Sequence, residues 1–145
     1  LTDGTSAIRK EARGPGAMAR IQHEAGILAR LTGITGVGQV VGSEPVAILF
    51  EDRGGRCLAD LVLERPFDSA ELPAIALGVA RILDDVHRAG VMHRDLHPGN
   101  VVLTDDGPLL VDFDLATTFA EVRPAFTHHQ EIAGIGGGPV VESDG

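Results

Sequence analysis

The chain has 145 residues, enough for one domain with an apolar core, and its 43% hydrophobic and 23% charged residues are ordinary for a globular protein. Its formal charge is −9, from 21 acidic and 12 basic residues without a basic cluster, which argues against a nucleic-acid partner. A lone cysteine, Cys57, excludes an internal disulfide, no apolar run is long enough to span a membrane, and we expect a cytoplasmic protein.

The first half of the chain is predicted to contain two strands and one helix. A short strand is expected over residues 5–12, followed by a Gly-Pro-Gly breaker and a helix over residues 17–32. The apolar residues that recur at helical spacing in this helix are Ile21, Ala25, Leu28 and Leu31. The continuous apolar run VAILF at residues 46–50 is typical of a buried strand.

Glu24 lies on the apolar stripe of the first helix, three residues after Ile21 and four before Leu28. A carboxylate buried there without a partner would be costly. The only lysine of the chain, Lys10, lies in the preceding predicted strand. We therefore predict an ion pair between Lys10 and Glu24, and the alternative is that both side chains are exposed.

The second half begins with the clearest helix, predicted over residues 68–89. Asp68 and Glu71 have the spacing of a capping box at its start. One apolar stripe runs along it, formed by Leu72, Ile75, Ala76, Val79, Leu83 and Val86. Two short strands follow at residues 101–103 and 109–111, joined by an Asp-Asp-Gly turn that predicts a hairpin.

Three polar side chains follow this long helix at close spacing. Asp95 lies in a short polar loop, Asn100 comes five residues later, and the second hairpin strand leads directly to Asp112. No Ser or Cys nucleophile lies among them, which favours phosphoryl transfer, where positioning and charge stabilisation do most of the work. One carboxylate can accept the proton of an attacking hydroxyl, while an amide oxygen and a second carboxylate suit Mg²⁺.

The segment VMHRDLHPGNVVLTDDGPLLVDFDLA, residues 91–116, resembles two motifs of the protein kinases. Its His-Arg-Asp with Asn100 matches the catalytic loop H-R-D-x-x-x-x-N, and Asp112-Phe113-Asp114 resembles D-F-G. The segments IRKE, IQHEAGILARL and LFEDRGG add to this likeness over about residues 7–134. The chain is similar to bacterial serine/threonine kinase domains, particularly those at the head of large multidomain proteins.

The resemblance implies an α+β, two-lobed kinase-like fold that is partial at both ends. It implies a partial first lobe over residues 1–52 and a partial second lobe over residues 53–133. The five glycines of residues 134–145 predict a flexible tail. The expected activity is transfer of the γ-phosphate of ATP to a Ser or Thr hydroxyl of a protein substrate. Further domains of a larger protein are also expected as partners.

The resemblance also assigns roles to individual residues. Asp95 would act as the base, and Asn100 and Asp112 would hold Mg²⁺ on ATP. Lys10, paired with Glu24, would position the phosphates. The strand after Phe50 would be the hinge, where the backbone groups of two residues would contact adenine, namely Glu51 and Arg53.

Several features depart from the kinase pattern and leave alternatives open. Only nine residues precede Lys10, where the family has its glycine-rich loop, and the Gly-Val-Gly at residues 36–38 is better interpreted as a turn. His97 stands where many serine/threonine kinases have a phosphate-contacting Lys, and Asp114 replaces the last Gly of D-F-G. The alternatives are a non-catalytic kinase remnant and a small-molecule phosphotransferase of the aminoglycoside or choline type.

Overall fold

The computed structural model describes residues 6–122, and its first layer is a three-stranded antiparallel sheet with one helix. In chain order these elements are β1 (Ala7–Glu11), α1 (Ala17–Arg30), β2 (Val40–Glu44) and β3 (Ala47–Glu51). The strand order is β1-β3-β2. β3 is central because it pairs with β1 and with β2, and its first two residues, Ala47 and Ile48, are fully buried, as its apolar run predicted.

The second layer combines two small sheets with helices. Its elements are β4 (Arg56–Cys57), α2 (Leu58–Glu64), α3 (Glu71–Arg88), β5 (Val91–Met92), a 3₁₀ turn (Pro98–Asn100), β6 (Val101–Thr104), β7 (Gly107–Leu110), β8 (Thr117–Thr118) and α4 (Phe119–Val122). The sheets are β4-β6-β7 and β5-β8. The expected α+β class and the β6–β7 hairpin are therefore confirmed.

The predicted capping box forms just before α3. One carboxylate oxygen of Asp68 accepts the N–H groups of Ala70 and Glu71, each at 2.7 Å, and the Glu71 carboxylate accepts the Asp68 N–H at 3.1 Å. Hydrogen bonds from the Arg65 guanidinium, together with that Asp68 N–H, lower the pKa of Glu71 to about 2. The start of α3 is thus held by side chains that the sequence pattern identified.

The packed face of α3 differs from the predicted stripe at three positions. Leu72 (52% exposed) and Ala76 are both exposed, whereas Ile82, which was not part of the predicted stripe, is 7% exposed and belongs to the core. The helix packs on β7 and β5, so the residues that contact them decide the buried face. The core-facing residues of the helix include Ile75, Val79, Ile82 and Val86, which follow one another at intervals of three or four residues and so lie on one face.

One hydrophobic core joins the two layers. It contains residues from both layers, namely Ile21, Ile27, Leu28, Leu31, Val37, Ile48, Ile82, Val86, Val91, Leu110 and Phe113. Leu110, at the end of β7, also bonds through its backbone to the loop before β2: its N–H donates to the Gly36 carbonyl at 2.7 Å, and its carbonyl accepts the Gly38 N–H at 3.1 Å. This contact brings the end of β7 against the first layer, two residues before Asp112.

Two glycines between β3 and β4 bring the chain from the first layer to the second. Both have positive φ, 62° at Gly54 and 97° at Gly55. A Cβ on Gly55 would lie 2.4 Å from the carbonyl oxygen of Leu103, whereas a Cβ on Gly54 would meet nothing within 4 Å. Only Gly55 therefore combines a left-handed backbone with close approach to β6.

We expect Gly55→Ala to destabilise the fold clearly more than Gly54→Ala. Both variants carry the backbone strain of a side chain at positive φ, about 1 kcal/mol, but only Gly55→Ala must also push β4 away from β6. Chemical denaturation of both variants measures the difference in the free energy of unfolding. Equal losses would contradict the role of the β6 contact.

The expected division of the chain into lobes at residue 52 stays a prediction. The glycine-rich tail expected over residues 134–145 lies outside the described residues. No helix within residues 6–122 has the length and apolar character needed to span a membrane.

Candidate functional site

A cavity of about 350 Å³ lies between the first sheet and the β6–β7 hairpin. This volume falls within the range of small-molecule binding sites. The predicted site residues that line its polar parts are Lys10, Glu51, Arg53, Asn100 and Asp112. Its apolar walls are formed mainly by Ile8, Phe50, Val102, Leu109 and Val111.

The predicted ion pair between Lys10 and Glu24 is present at one side of this cavity. Lys10 extends from β1, and its Nζ lies 2.8 Å from both carboxylate oxygens of Glu24 on α1. Glu24 is 1% exposed, so the apolar stripe does bury it. The same Nζ donates to Oδ1 of Asp112 at 2.6 Å, which places one ammonium between two carboxylates.

The charges of this cluster shift the pKa values of Lys10 and Asp112. Burial alone would lower the pKa of Lys10, but hydrogen bonds to Asp112 and Glu24 outweigh it and raise that pKa. Burial likewise would raise the pKa of Asp112, but the bond to Lys10 outweighs it, and that pKa is lowered. The ionised Asp112 carboxylate therefore stabilises the fold at pH values above the ordinary pKa of Asp, and this stabilisation is lost as the pH falls through its lowered pKa in the folded chain. The stabilisation from the Lys10 ammonium is lost only as the pH rises through the raised pKa of Lys10.

The backbone at Asp112 is unusual. Asp112 and Arg94 are the non-glycine residues with positive φ within residues 6–122, both at 65°. Such conformations cost about 1–3 kcal/mol each and persist where the surroundings impose them. At Asp112 this backbone conformation is held by the contacts of the next residue, Phe113. Phe113 is 1% exposed, and its N–H donates to the Glu24 carboxylate at 3.2 Å.

His93 connects this strained segment to the loop that carries Asp95. Its ring lies 4.5 Å from the Phe113 ring, centroid to centroid. His93 Nδ1 accepts the Asp95 N–H at 3.3 Å, so the ring proton is on Nε2, which donates to the Val111 carbonyl at 3.1 Å. The buried imidazole thus holds the Asp95 loop and the Asp112 segment together.

Asn100 lies beside Asp95 and is 6% exposed. Its Nδ2 donates to the backbone carbonyl of Asp95 at 2.9 Å and to Oδ2 of the same residue at 3.1 Å. This fixes the amide orientation, so Oδ1 of Asn100 is left as an acceptor. Asn100 and Asp112 both line the cavity, whereas Asp95 lies just outside its lining.

The donor set at this position fits Mg²⁺. Oδ1 of Asn100 and the second carboxylate oxygen of Asp112 are hard, oxygen ligands, which Mg²⁺ prefers together with phosphate oxygens. Oδ1 of Asp112 is bound to Lys10, so Oδ2 is the oxygen of this carboxylate that would meet a cation. Asn100 and Asp112 would provide only two ligands. Phosphate and water oxygens would fill the remaining coordination positions, as is usual for Mg²⁺.

The predicted hinge residues reach the opposite side of the cavity. The Glu51 N–H already donates to the Gln39 carbonyl at 2.9 Å, so Glu51 can meet a ligand through its own carbonyl oxygen. The Arg53 side chain turns toward the hairpin and donates to Asp106 at 2.7 Å, a bond that raises the pKa of Arg53. This leaves the backbone of Arg53 beside the cavity, where adenine contact stays a prediction.

Sequence reasoning missed part of the lining. Ile8 is two residues before Lys10 and therefore on the same face of β1, a signal that could have identified it. Gly38, interpreted only as part of a turn, lies in the cavity wall, where a Cβ would be 3.5 Å from the Phe50 ring. No local pattern marks Gly38, because the residues nearest to it, Phe50 and Leu110, come from distant parts of the chain.

The sequence model of the family described as "Protein kinase domain" matches residues 7–131 of the chain. This match covers most of the chain and includes every residue of the site described above.

Curated proteins of bacteria are similar to the chain. Serine/threonine-protein kinase PknK of Mycobacterium tuberculosis (strain H37Rv) is 31% identical over 134 residues, 81% of this chain and 12% of that protein. Serine/threonine-protein kinase AfsK of Streptomyces coelicolor is 38% identical over 63 residues, 43% of this chain and 8% of that protein. The probable serine/threonine-protein kinase PknB of Bifidobacterium longum is 30% identical over 89 residues, 60% of this chain and 13% of that protein. The chain thus spans a small part of the length of these relatives.

Proposed function

The chain belongs to the protein kinase family, and we propose that it binds ATP with Mg²⁺ and transfers the γ-phosphate to a Ser or Thr hydroxyl of a protein. The relatives named as serine/threonine kinases support this activity, and because the chain covers only 8% to 13% of them, the activity is a proposal for this chain. The proposal also includes a cytoplasmic location and further domains as partners.

The observation that carries the proposal is the cluster at one side of the cavity. Lys10, Glu24 and Asp112 form one network, and Asn100 lines the same cavity. An ammonium beside a pair of oxygen ligands for a divalent cation suits the triphosphate of a nucleotide, and apolar walls suit a base. Such a site places an ammonium and a cation beside the phosphates, where the charge that develops during phosphoryl transfer must be stabilised.

Each residue then has a defined part in the transfer. Glu24 holds the Lys10 ammonium, which binds phosphate oxygens, while Asn100 and Asp112 would hold Mg²⁺. When bound, Mg²⁺ neutralises charge that develops on the phosphates. The acceptor hydroxyl oxygen bonds to the γ-phosphorus, the bond from that phosphorus to the β–γ bridging oxygen breaks, and ADP leaves. Asp95 accepts the proton of the hydroxyl.

Thermal unfolding with and without Mg-ATP tests the nucleotide site. Ligand at a hundredfold excess over its dissociation constant should stabilise the chain by about 2.7 kcal/mol, several degrees for a domain of this size. The control is Asp112→Asn, which removes the charge while keeping a residue type that tolerates positive φ. We expect the Mg²⁺-dependent part of the stabilisation to disappear in this variant.

Transfer itself is measured with γ-labelled ATP and a library of Ser- and Thr-containing peptides. Labelled peptide supports the proposal. A cooperatively folded chain that Mg-ATP does not stabilise and that labels no acceptor would instead be a non-catalytic member of the family. Labelling of an aminoglycoside or choline without labelling of peptide would overturn the protein acceptor.

A further inference from the structure

The imidazole of His97 lies beside the carboxylate of Asp95, a contact that the transfer mechanism above does not use. His97 Nε2 is 3.6 Å from Oδ2 of Asp95, just outside hydrogen-bond range. The His97 side chain is 52% exposed and that of Asp95 is 38% exposed, so both are accessible from solvent, as contact with an acceptor requires.

The other ring nitrogen of His97 is already engaged. Nδ1 accepts the N–H of Gly99 at 3.0 Å and so caps the 3₁₀ turn Pro98–Asn100. A nitrogen that accepts an N–H cannot carry the proton of a neutral imidazole. The proton of His97 is therefore on Nε2, the nitrogen that faces Asp95.

Because Gly99 has no side chain, the imidazole ring of His97 can lie against its backbone. A Cβ at residue 99 would lie 2.7 Å from Cε1 and 2.9 Å from Nδ1 of His97, closer than real Cβ contacts. The imidazole thus rests against the backbone of Gly99 in space that only glycine leaves open. The hydrogen bond and this close approach together hold an exposed side chain in one orientation.

The two oxygens of Asp95 are placed differently by these contacts. Oδ2 accepts from Nδ2 of Asn100 at 3.1 Å and faces Nε2 of His97. Two N–H donors directed at Oδ2 leave Oδ1 as the oxygen available to a hydroxyl. Catalytic hydrogen bonds that are long in a free enzyme often shorten when the reactants bind.

We propose that His97 is a positioning residue, whose Nε2–H donates to Oδ2 of Asp95 during transfer and thereby keeps Oδ1 directed at the acceptor hydroxyl. The inference rests on the proposed function, because it assigns Asp95 the role of base. It requires no charge on the imidazole, since a neutral ring with its proton on Nε2 provides the donor.

The tautomer of His97 is the first test, and it needs no activity. Long-range ¹H–¹⁵N spectra of the wild-type chain, at a pH where the ring is neutral, should show the proton of His97 on Nε2. A proton on Nδ1 would overturn the proposal whether or not the chain transfers phosphate, because no donor would then face Asp95.

Two substitutions separate positioning from capping. His97→Asn keeps an acceptor for the Gly99 N–H and loses the donor to Asp95, while His97→Gln can place an amide N–H near Asp95 and loses the cap. We expect kcat to fall about tenfold in His97→Asn, the effect of one hydrogen bond to a charged group, with KM for ATP unchanged. His97→Gln should retain more of kcat. The matched control is His87→Gln, at an exposed position on α3.

The relative kcat values of the wild type and the two His97 variants decide between positioning and capping. If His97→Asn is as active as His97→Gln or more active, the residue only caps the turn and the positioning role is wrong while the proposed function stands. If the wild-type chain labels no acceptor, the proposed function fails and the positioning role fails with it. Activity in the order wild type, His97→Gln, His97→Asn supports the proposal.

Discussion

Asp95→Asn should lower the rate of phosphoryl transfer at least about 100-fold while leaving the stabilisation by Mg-ATP unchanged. The substituted amide can still accept the Nδ2–H of Asn100 through its oxygen, as Oδ2 does now at 3.1 Å. Its NH₂ group would then occupy the position of Oδ1, where it cannot take a proton from a hydroxyl. The variant therefore removes the base and preserves the neighbouring amide.

Initial rates with labelled ATP and thermal unfolding with Mg-ATP give the two readouts. The matched control is Asp105→Asn, the same change at an exposed turn of the β6–β7 hairpin, which should affect neither. Full transfer activity in Asp95→Asn would remove the residue from the mechanism. A simultaneous loss of the Mg-ATP effect would instead mean that Asp95 acts in binding.

Lys10→Met should destabilise the chain by about 3 kcal/mol. Removing one partner of a buried ion pair typically costs about 3–5 kcal/mol, because the other charge stays buried, and the lower value applies since the Lys10 side chain is 34% exposed. Glu24, 1% exposed, would retain only the Phe113 N–H as a hydrogen-bond donor among its described contacts. The variant should also lose the stabilisation by Mg-ATP, because the ammonium that binds phosphate is gone.

A double-mutant cycle with Glu24→Gln measures this interaction by urea unfolding. Glu24→Gln should cost less in the Lys10→Met background than in the wild type, because the amide removes the uncompensated charge. The matched control is Arg9→Met on the same strand, whose ion pairs with Glu11 and Glu44 lie at the surface and should matter little. Additive losses for Lys10 and Glu24 would contradict the coupling.

Local sequence patterns identified much of the site. Asp95, Asn100 and Asp112 lie close together in the chain, and each lies near the end of a helix or strand that the apolar pattern predicted. Helical periodicity placed Glu24 on a buried stripe, and the need of a buried carboxylate for a partner indicated Lys10. The structure shows that pair at 2.8 Å, while the roles of these residues in transfer stay proposals.

The amino-acid sequence by itself determined the α+β class, the hairpin, the capping box and the family, because periodicity, turn residues and motif spacing are local. Tertiary structure alone decided which residues meet across the chain. It placed Asp112 at 2.6 Å from Lys10, 102 residues away, put Gly38 in the cavity wall, and buried Ile82 rather than Leu72. These outcomes depend on the packing of one layer against the other, and no local pattern encodes a neighbour that comes from a distant part of the chain.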